Sequence, residues 1–210
     1  MGRVKTGLGK GLKDVFVAVL FMAVFVSGAK AAEVDPFQKI ENVTRDLLVI
    51  IKNHKDGYPD NEVAYFAQLN QLLDAHVDFK YISTAVMGPY RNAASEAQRE
   101  LFIQKFRGGL VETYGRGLIG YGDEEIVLVN RQVLEDEERK VAVKQEIRGS
   151  GVIYPLEYHV ARKKTGEWMV INVIINGINL RKVFTSQFVN AAQRADGDLD
   201  SVIASWASES

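Results

Sequence analysis

The segment Trp168–Ile175, WMVINVII, limits what this chain can fold into more than any other feature. Successive side chains of a strand point to opposite faces, so a strand on the surface of a sheet alternates apolar with polar residues. This one does not. Met169, Ile171, Val173 and Ile175 are apolar on one face, Trp168, Val170 and Ile174 on the other, and Asn172 alone interrupts. Such a strand needs cover on both faces. Either helices close over it as a packed core, or a cavity lies against it and the cover is an apolar ligand. Periodicity leaves both open.

Three segments of period two precede it, at 125–134, 140–149 and 152–161. They are half-exposed in pattern: Val141, Val143 and Ile147 alternate with Lys144, Glu146 and Arg148, and Tyr154, Leu156 and Tyr158 with Glu157 and His159. The connections EDEER and RKKTG are tight and charged, so the expectation is an antiparallel meander of about four strands over 125–176. Gly177 is expected to break the last strand.

Residues 35–120 read as helical. Asp35-Pro36 is a helix start, with proline where its missing N–H costs nothing. Phe37, Ile40, Val43, Leu47, Leu48 and Ile51 recur at helical spacing. After the turn DGYPDN, a second stripe runs through Val63, Phe66, Leu69, Leu73 and Val77. Ser95 and Gln98 have capping-box spacing, and open a helix carrying Leu101, Phe102, Phe106, Leu110, Val111, Tyr114 and Leu118 before a glycine-rich exit, GRGLIGYG. Gly108 and Gly109 inside it either weaken it or admit another backbone. Two helices are expected over 179–207, the first capped by Asn179 with Leu180, Val183, Phe184 and Phe188 on one face. The second carries Leu199, Val202, Ile203 and Trp206. Helices first and strands after make an α+β chain.

The amino-terminal residues carry a different signal. Basic residues and the short apolar run VFVAVLFMAVFV precede SGAKAA, in which Ala29 and Ala31 form a small-x-small site. Residues 1–31 are therefore expected to be an export signal cut after Ala31, an uncleaved anchor being the alternative. Residues 32–210 would then form a single domain. They retain 21 of the 26 basic and 26 of the 27 acidic residues, a net charge of about −5. That balance argues against nucleic acid as a partner, which needs a clustered basic face. The chain has no cysteine, which removes disulfides, thiolate chemistry and a lipidated amino-terminal cysteine. A periplasmic or secreted product is expected.

No catalytic motif is present. The three histidines, His54, His76 and His159, lack zinc spacing, and there is no phosphate-binding loop and no nucleophile elbow. Glu157 and His159 share a strand face and could form an acid/base pair, although a solvated face is the ordinary reading. The charged hairpin tips at 135–140 and 162–164 are docking sites or solvated turns. No enzyme activity, metal or cofactor is expected.

Two blocks carry a resemblance. The first is DFKYISTAVMGPY followed by QRELFIQKFRGGLVETY, with the pattern D-F-x-x-I, M-G-x-Y, Q-R-x-x-F, F-x-x-x-L and T-Y. The second is WMVINVIINGINLRKVFTSQF, similar to W-x-x-x-D-V-x-x-x-G-x-S-L-x-x-x-F-R-x-Q-F. Together they resemble the MlaC/toluene-tolerance family of periplasmic phospholipid-binding proteins, and the likeness runs from about Asp35 to the final helix. It departs at Asn172, Asn179 and Thr185, where the family usually has aspartate, serine and arginine.

The resemblance implies a curved, nuclear-transport-factor-like antiparallel sheet packed with helices around a deep hydrophobic pocket. It implies a soluble periplasmic carrier of diacyl phospholipid. Its partners would be an outer-membrane lipoprotein complex and an inner-membrane ABC transporter with its substrate-binding ring, and its role the maintenance of outer-membrane lipid asymmetry. The expected lipid-lining residues are Phe106, Leu110 and Tyr114 from the helix and Val143, Ile147, Tyr158, Val170 and Val173 from the sheet. The alternatives are a carrier of aromatic solvents or hopanoid-like lipids, an enzyme of the same cone-like fold using Glu157 or His159, and an adaptor whose pocket is filled by its own side chains.

Overall fold

Asp35 starts the first helix as expected: its carboxylate accepts from the Gln38 N–H at 2.9 Å, and Pro36 fills the first helical position. This is the beginning of a computed structural model that describes residues 35–122, 124–149 and 151–206. The expected export signal lies outside the described residues. The elements are α1 (Pro36–Lys55), α2 (Glu62–His76), α3 (Phe79–Val86), a 3-10 turn (Gly88–Asn92) and α4 (Glu96–Leu118). They are followed by β1 (Glu125–Leu128), β2 (Lys140–Gly149), β3 (Val152–Arg162), β4 (Trp168–Ile175), β5 (Ile178–Asn179), α5 (Leu180–Arg194) and α6 (Leu199–Ser205). The five strands form one open antiparallel sheet in the order β1-β2-β3-β4-β5. The fold is α+β.

Four local differences from the sequence expectation have physical reasons. The first strand stops at Leu128 rather than 134, because Asn130 turns its side chain onto β2, donating to the Ala142 carbonyl at 2.8 Å and accepting from the Lys144 N–H at 2.6 Å. The carboxamide takes over the backbone's pairing, and Val133 is left 95% exposed. Gly177 does not end the sheet. Asn176 and Gly177 both have positive φ, 48° and 79°, which suits a two-residue hairpin turn, and β5 returns against β4 through it. The helix leaves within the glycine-rich stretch, late in it: α4 continues through Gly115 and Gly117 and ends at Leu118. Finally, Val63 lies outside the apolar face of α2, which is set by Tyr65 and Leu69.

The capping box of α4 forms as read. Ser95 Oγ accepts from the Gln98 N–H and Gln98 Oε1 accepts from the Ser95 N–H. The close approach along this helix falls at Gly115 rather than at Gly108. A Cβ at Gly115 would stand 2.7 Å from Phe66 and 2.9 Å from Leu69, whereas one at Gly108 would meet nothing within 4 Å. The Tyr65 hydroxyl donates to the Gly115 carbonyl at 2.8 Å, holding α2 against α4.

Packing divides into three cores. One is aromatic and helical, joining α3, α4, α5 and α6 around Phe102, Phe106, Phe184 and Phe188. A second lies where α1 crosses the sheet, Phe37 and Ile40 resting on Val141, Val143, Val160, Trp168 and Val170. The third, around Ile51, Tyr65, Leu69 and Val111, joins α1, α2 and α4.

Candidate functional site

The strand that posed the opening problem carries a bulge. Along β3 and β4 the register runs Tyr158 to Val173 and His159 to Asn172, then skips Ile171 so that Val160 faces Val170. An extra residue on one strand shifts its alternation by one. Val170 and Val173, which strict alternation puts on opposite faces, are thereby turned to the same side, next to Val160 and Tyr158. Met169 and Ile171 remain buried, at 5% and 6% exposure, on a strand against which α3 and α5 pack. The edge of β4 is covered too: Val77 bridges it in parallel, and the Asp78 N–H donates to the Val170 carbonyl at 2.9 Å.

Beside that edge the three cores fail to fuse, and a cavity of about 220 Å³ is left between them. Its wall draws on each core. Leu73 and Leu118 belong to the α1–α2–α4 packing, Ile82, Phe106, Leu110, Leu180 and Phe184 to the aromatic core, and Val170 and Val173 to the sheet core. Val77 touches both of the last two. Phe79 and Tyr114 close the sides. Tyr114 meets Phe184 edge-on at 6.4 Å, and Phe184 meets Phe106 edge-on at 5.4 Å.

The motif residues act locally in building this wall. Asp78 is the N-cap of α3, accepting from the Tyr81 N–H at 3.0 Å, and its other oxygen faces Lys163 at 3.4 Å. Capping there fixes the turn that presents Phe79 and Ile82 to the cavity. Asn179 does the same for α5, accepting from the Lys182 N–H at 3.1 Å, and so sets Leu180 and Phe184. Asn172 is 2% exposed, and its Oδ1 accepts from the Arg181 N–H at 3.3 Å. Thr185 bonds its own helix, donating to the Arg181 carbonyl.

Of the eight residues expected to line a pocket, Phe106, Leu110, Tyr114, Val170 and Val173 are brought together around the cavity, and Val143, Ile147 and Tyr158 are not among its lining. Val143 is fully buried under α1. Tyr158 packs against the same core, and burial raises its phenol to about 12, opposed by a hydrogen bond with Thr44. Ile147 lies farther out on β2, between Ile126 of β1 and Tyr154 of β3. Val143 and Tyr158 share a reason: Phe37 and Ile40 fill the sheet's inner face over them, whereas the apolar cavity lies at β4.

Leu73, Val77, Leu180 and Phe184 also line the cavity. They stand on apolar helical stripes in the sequence, but a stripe gives a direction and does not say whether a side chain or a void lies ahead.

Two other concavities differ in character. One of about 590 Å³ between α2 and α4 is rimmed by Glu62, Glu112 and Arg116, and one of about 350 Å³ between α1 and β1–β2 by Glu41, Arg45 and Lys52. His159 Nε2 and Glu157 Oε1 are 2.8 Å apart on the half-exposed face of β3, with Lys144 3.7 Å from the other carboxylate oxygen, and none of the three lines the cavity. Among the described residues no group of three potential ligands could hold a metal ion. Among the same residues no helix is long and apolar enough to cross a membrane.

Fold and cavity define a class: α+β domains in which helices and an open antiparallel sheet enclose an apolar space. Comparison with known proteins narrows it. The family described as MlaC protein matches residues 41–208. The Toluene tolerance protein ttg2D of Pseudomonas putida is 34% identical over 176 residues, covering 83% of this chain and 80% of that protein. The Intermembrane phospholipid transport system binding protein MlaC of Haemophilus influenzae is 26% identical over 174 residues, 80% of this chain and 81% of that one. A phospholipid-binding protein from Ralstonia solanacearum, solved with a phospholipid, shares the fold. Its TM-score is 0.68 at 23% identity, covering 82% of this chain and 99% of that one. The chain belongs to the MlaC family.

Proposed function

We propose that this protein is a periplasmic carrier that holds a diacyl phospholipid in the cavity between β4 and helices α2–α5, and exchanges it with membrane-bound partners. The observation that carries the reading is the cavity itself, an apolar space at the meeting point of three separate cores. The names of the relatives point the same way, one being a phospholipid transport system binding protein and another a phospholipid-binding protein bound to its lipid. The partners are an outer-membrane lipoprotein complex and an inner-membrane ABC transporter with its substrate-binding ring. Exchange between them maintains the lipid asymmetry of the outer membrane.

The size of the cavity adds a requirement. Pockets that enclose drug-sized ligands run to about 300–1,000 Å³, and about 220 Å³ is less than that. Acyl chains can enter only if the junction widens. Leu73, Leu110, Leu118 and Leu180 around it are half-buried rather than locked in a core, and Tyr114 is 44% exposed. Burial of a chain is worth about 0.8 kcal/mol per CH₂, a gain of the same kind as in the membrane. Transfer therefore runs close to thermoneutral, and its direction comes from the partners.

The test is native mass spectrometry of the protein exported to the periplasm of a bacterial host and purified without detergent, followed by lipid extraction. A bound diacyl phospholipid is the expected result. A ligand-free mass with no lipid in the extract would overturn the carrier and favour an adaptor with a closed core. A bound aromatic solvent or hopanoid-like lipid would change the cargo.

A further inference from the structure

The cavity is not apolar all the way round. Asn172 and Arg181 also line it, joined by the bond from the Arg181 N–H to Asn172 Oδ1. That bond fixes the amide's orientation, since an N–H needs an acceptor, and leaves Asn172 Nδ2 as a buried donor without a partner. The Arg181 side chain runs outward. Its Nη1 donates to the Tyr81 hydroxyl at 3.5 Å and its guanidinium lies 6.0 Å from the centroid of the Tyr81 ring. Tyr81 is 41% exposed, so the cation sits where the cavity meets solvent.

Several arginines of the domain are neutralised by carboxylates. Arg107 pairs with Asp74, Arg116 with Glu62 and Glu112, Arg131 with Asp35 and Glu41, and Arg148 with Glu146. No carboxylate among the described residues is paired with Arg181. A guanidinium has five N–H donors, and this one uses a single long bond. It stands, moreover, in the first turn of α5 beside Lys182, with no acidic residue in that turn. Positive charge is disfavoured at a helix amino terminus and an anion is favoured there.

We infer that Arg181 is an anion anchor at the mouth of the cavity, binding the phosphodiester of a lipid whose acyl chains lie against Phe106, Leu110 and Val173. Asn172 Nδ2 is the second donor, for an oxygen of the same lipid. This rests on the carrier reading above and adds to it which end of the lipid faces out and what holds it. Arginine suits the task because its planar fork matches phosphate.

The experiment compares loading of palmitoyl-oleoyl phosphatidylglycerol with loading of the matching diacylglycerol, by native mass spectrometry, in the wild type and in Arg181→Gln and Arg181→Lys. The wild type should favour the phospholipid by roughly tenfold, or about 1.4 kcal/mol. Arg181→Gln should still load diacylglycerol but lose the preference, and Arg181→Lys should recover part of it. A preference that survives in Arg181→Gln would overturn the anchor, and so would equal loading of the two lipids by the wild type. Loading of neither lipid by the wild type would overturn the carrier itself. Palmitate against palmityl alcohol separates the two acyl anions: an Arg181-dependent preference confined to palmitate would replace the phosphodiester by a carboxylate. Salt gives a check that needs no variant. The wild-type preference should shrink between about 0.05 and 0.5 M salt, as contacts open to solvent are screened, and an unchanged preference would sink the proposal.

Discussion

The two ends of α4 teach opposite lessons from one continuous helix. At its amino-terminal end Phe102 is fully buried, 4.7 Å from the Phe188 ring and 5.2 Å from Trp206, both edge-on, with Phe106 at 5.6 Å. Farther along, Tyr114 faces the cavity and is 44% exposed, and Leu110 and Leu118 beside it are half-buried. Both ends are apolar and aromatic at helical spacing. The difference lies in what stands opposite: α5 and α6 close on the amino-terminal end, whereas the carboxy-terminal end borders the space between cores. A helix can therefore be rigid where it anchors and loosely packed where it serves.

The largest expected effect breaks the rigid end. Phe102→Ala removes a ring with three aromatic neighbours and should destabilise the protein by about 3–5 kcal/mol, read as a lowered urea midpoint. A loss under about 1 kcal/mol would show that the aromatic cluster packs less tightly than its geometry says. The cavity end should respond differently. Leu110→Trp adds bulk into the space and should lower phospholipid loading by roughly tenfold, about 1.4 kcal/mol, while the urea midpoint moves much less than in Phe102→Ala. Unchanged loading would put the ligand elsewhere.

The glycines of α4 break the contrast down by face at smaller magnitude: the carboxy-terminal end is tight where it meets α2 at Gly115 and loose only toward the cavity. Gly115→Val places side-chain atoms within 3 Å of Phe66 and Leu69 and should cost about 1–3 kcal/mol by overpacking. Gly108→Ala meets nothing and should stabilise by about 0.5–1 kcal/mol, because alanine loses less backbone entropy in a helix interior. Equal effects of the two in thermal unfolding would mean that α2 does not rest on Gly115.

How much of this was legible in the sequence follows from what periodicity encodes. The helices, the Ser95–Gln98 box and the three long strands are local patterns and form where the pattern puts them, although Val63, Leu101 and Val183 of the apolar stripes end exposed. The Asn176-Gly177 hairpin is also written in the chain, as a residue pair that accepts positive φ, although its glycine taken alone reads as a break. The bulge at Ile171 was not legible, because it depends on how β4 fits β3 and the Val77 segment rather than on its own alternation. For the same reason Val143 and Tyr158, apolar and inward as expected, end beneath Phe37 and Ile40 instead of at the cavity. Sequence shows which way a side chain points; which residue of a distant element reaches it first is a property of the packed molecule.

The smallest expected effect is a pH dependence at the last turn of α2, next to the cavity. His76 ends α2, between the cavity residues Leu73 and Val77. Burial lowers its pKa below the usual value of 6.5, Lys39 nearby lowers it further, and Asp46 and Glu167 pull it up. Its Nδ1 is buried without a partner. The neutral ring is thus the form the folded state prefers, while the unfolded chain takes up its proton near pH 6.5. The unfolded state binds more protons in that window, so the contribution of His76 is present above about pH 6.5 and is lost as pH falls through the lowered native value. Hydrogen exchange at the last turn of α2 should accelerate on acidification before exchange near Phe102 does, and His76→Gln should remove the difference. If both ends of α4 and their neighbours loosened together, the junction of cores would be one cooperative unit, and widening of the cavity would have to involve the whole domain rather than its loosely packed end.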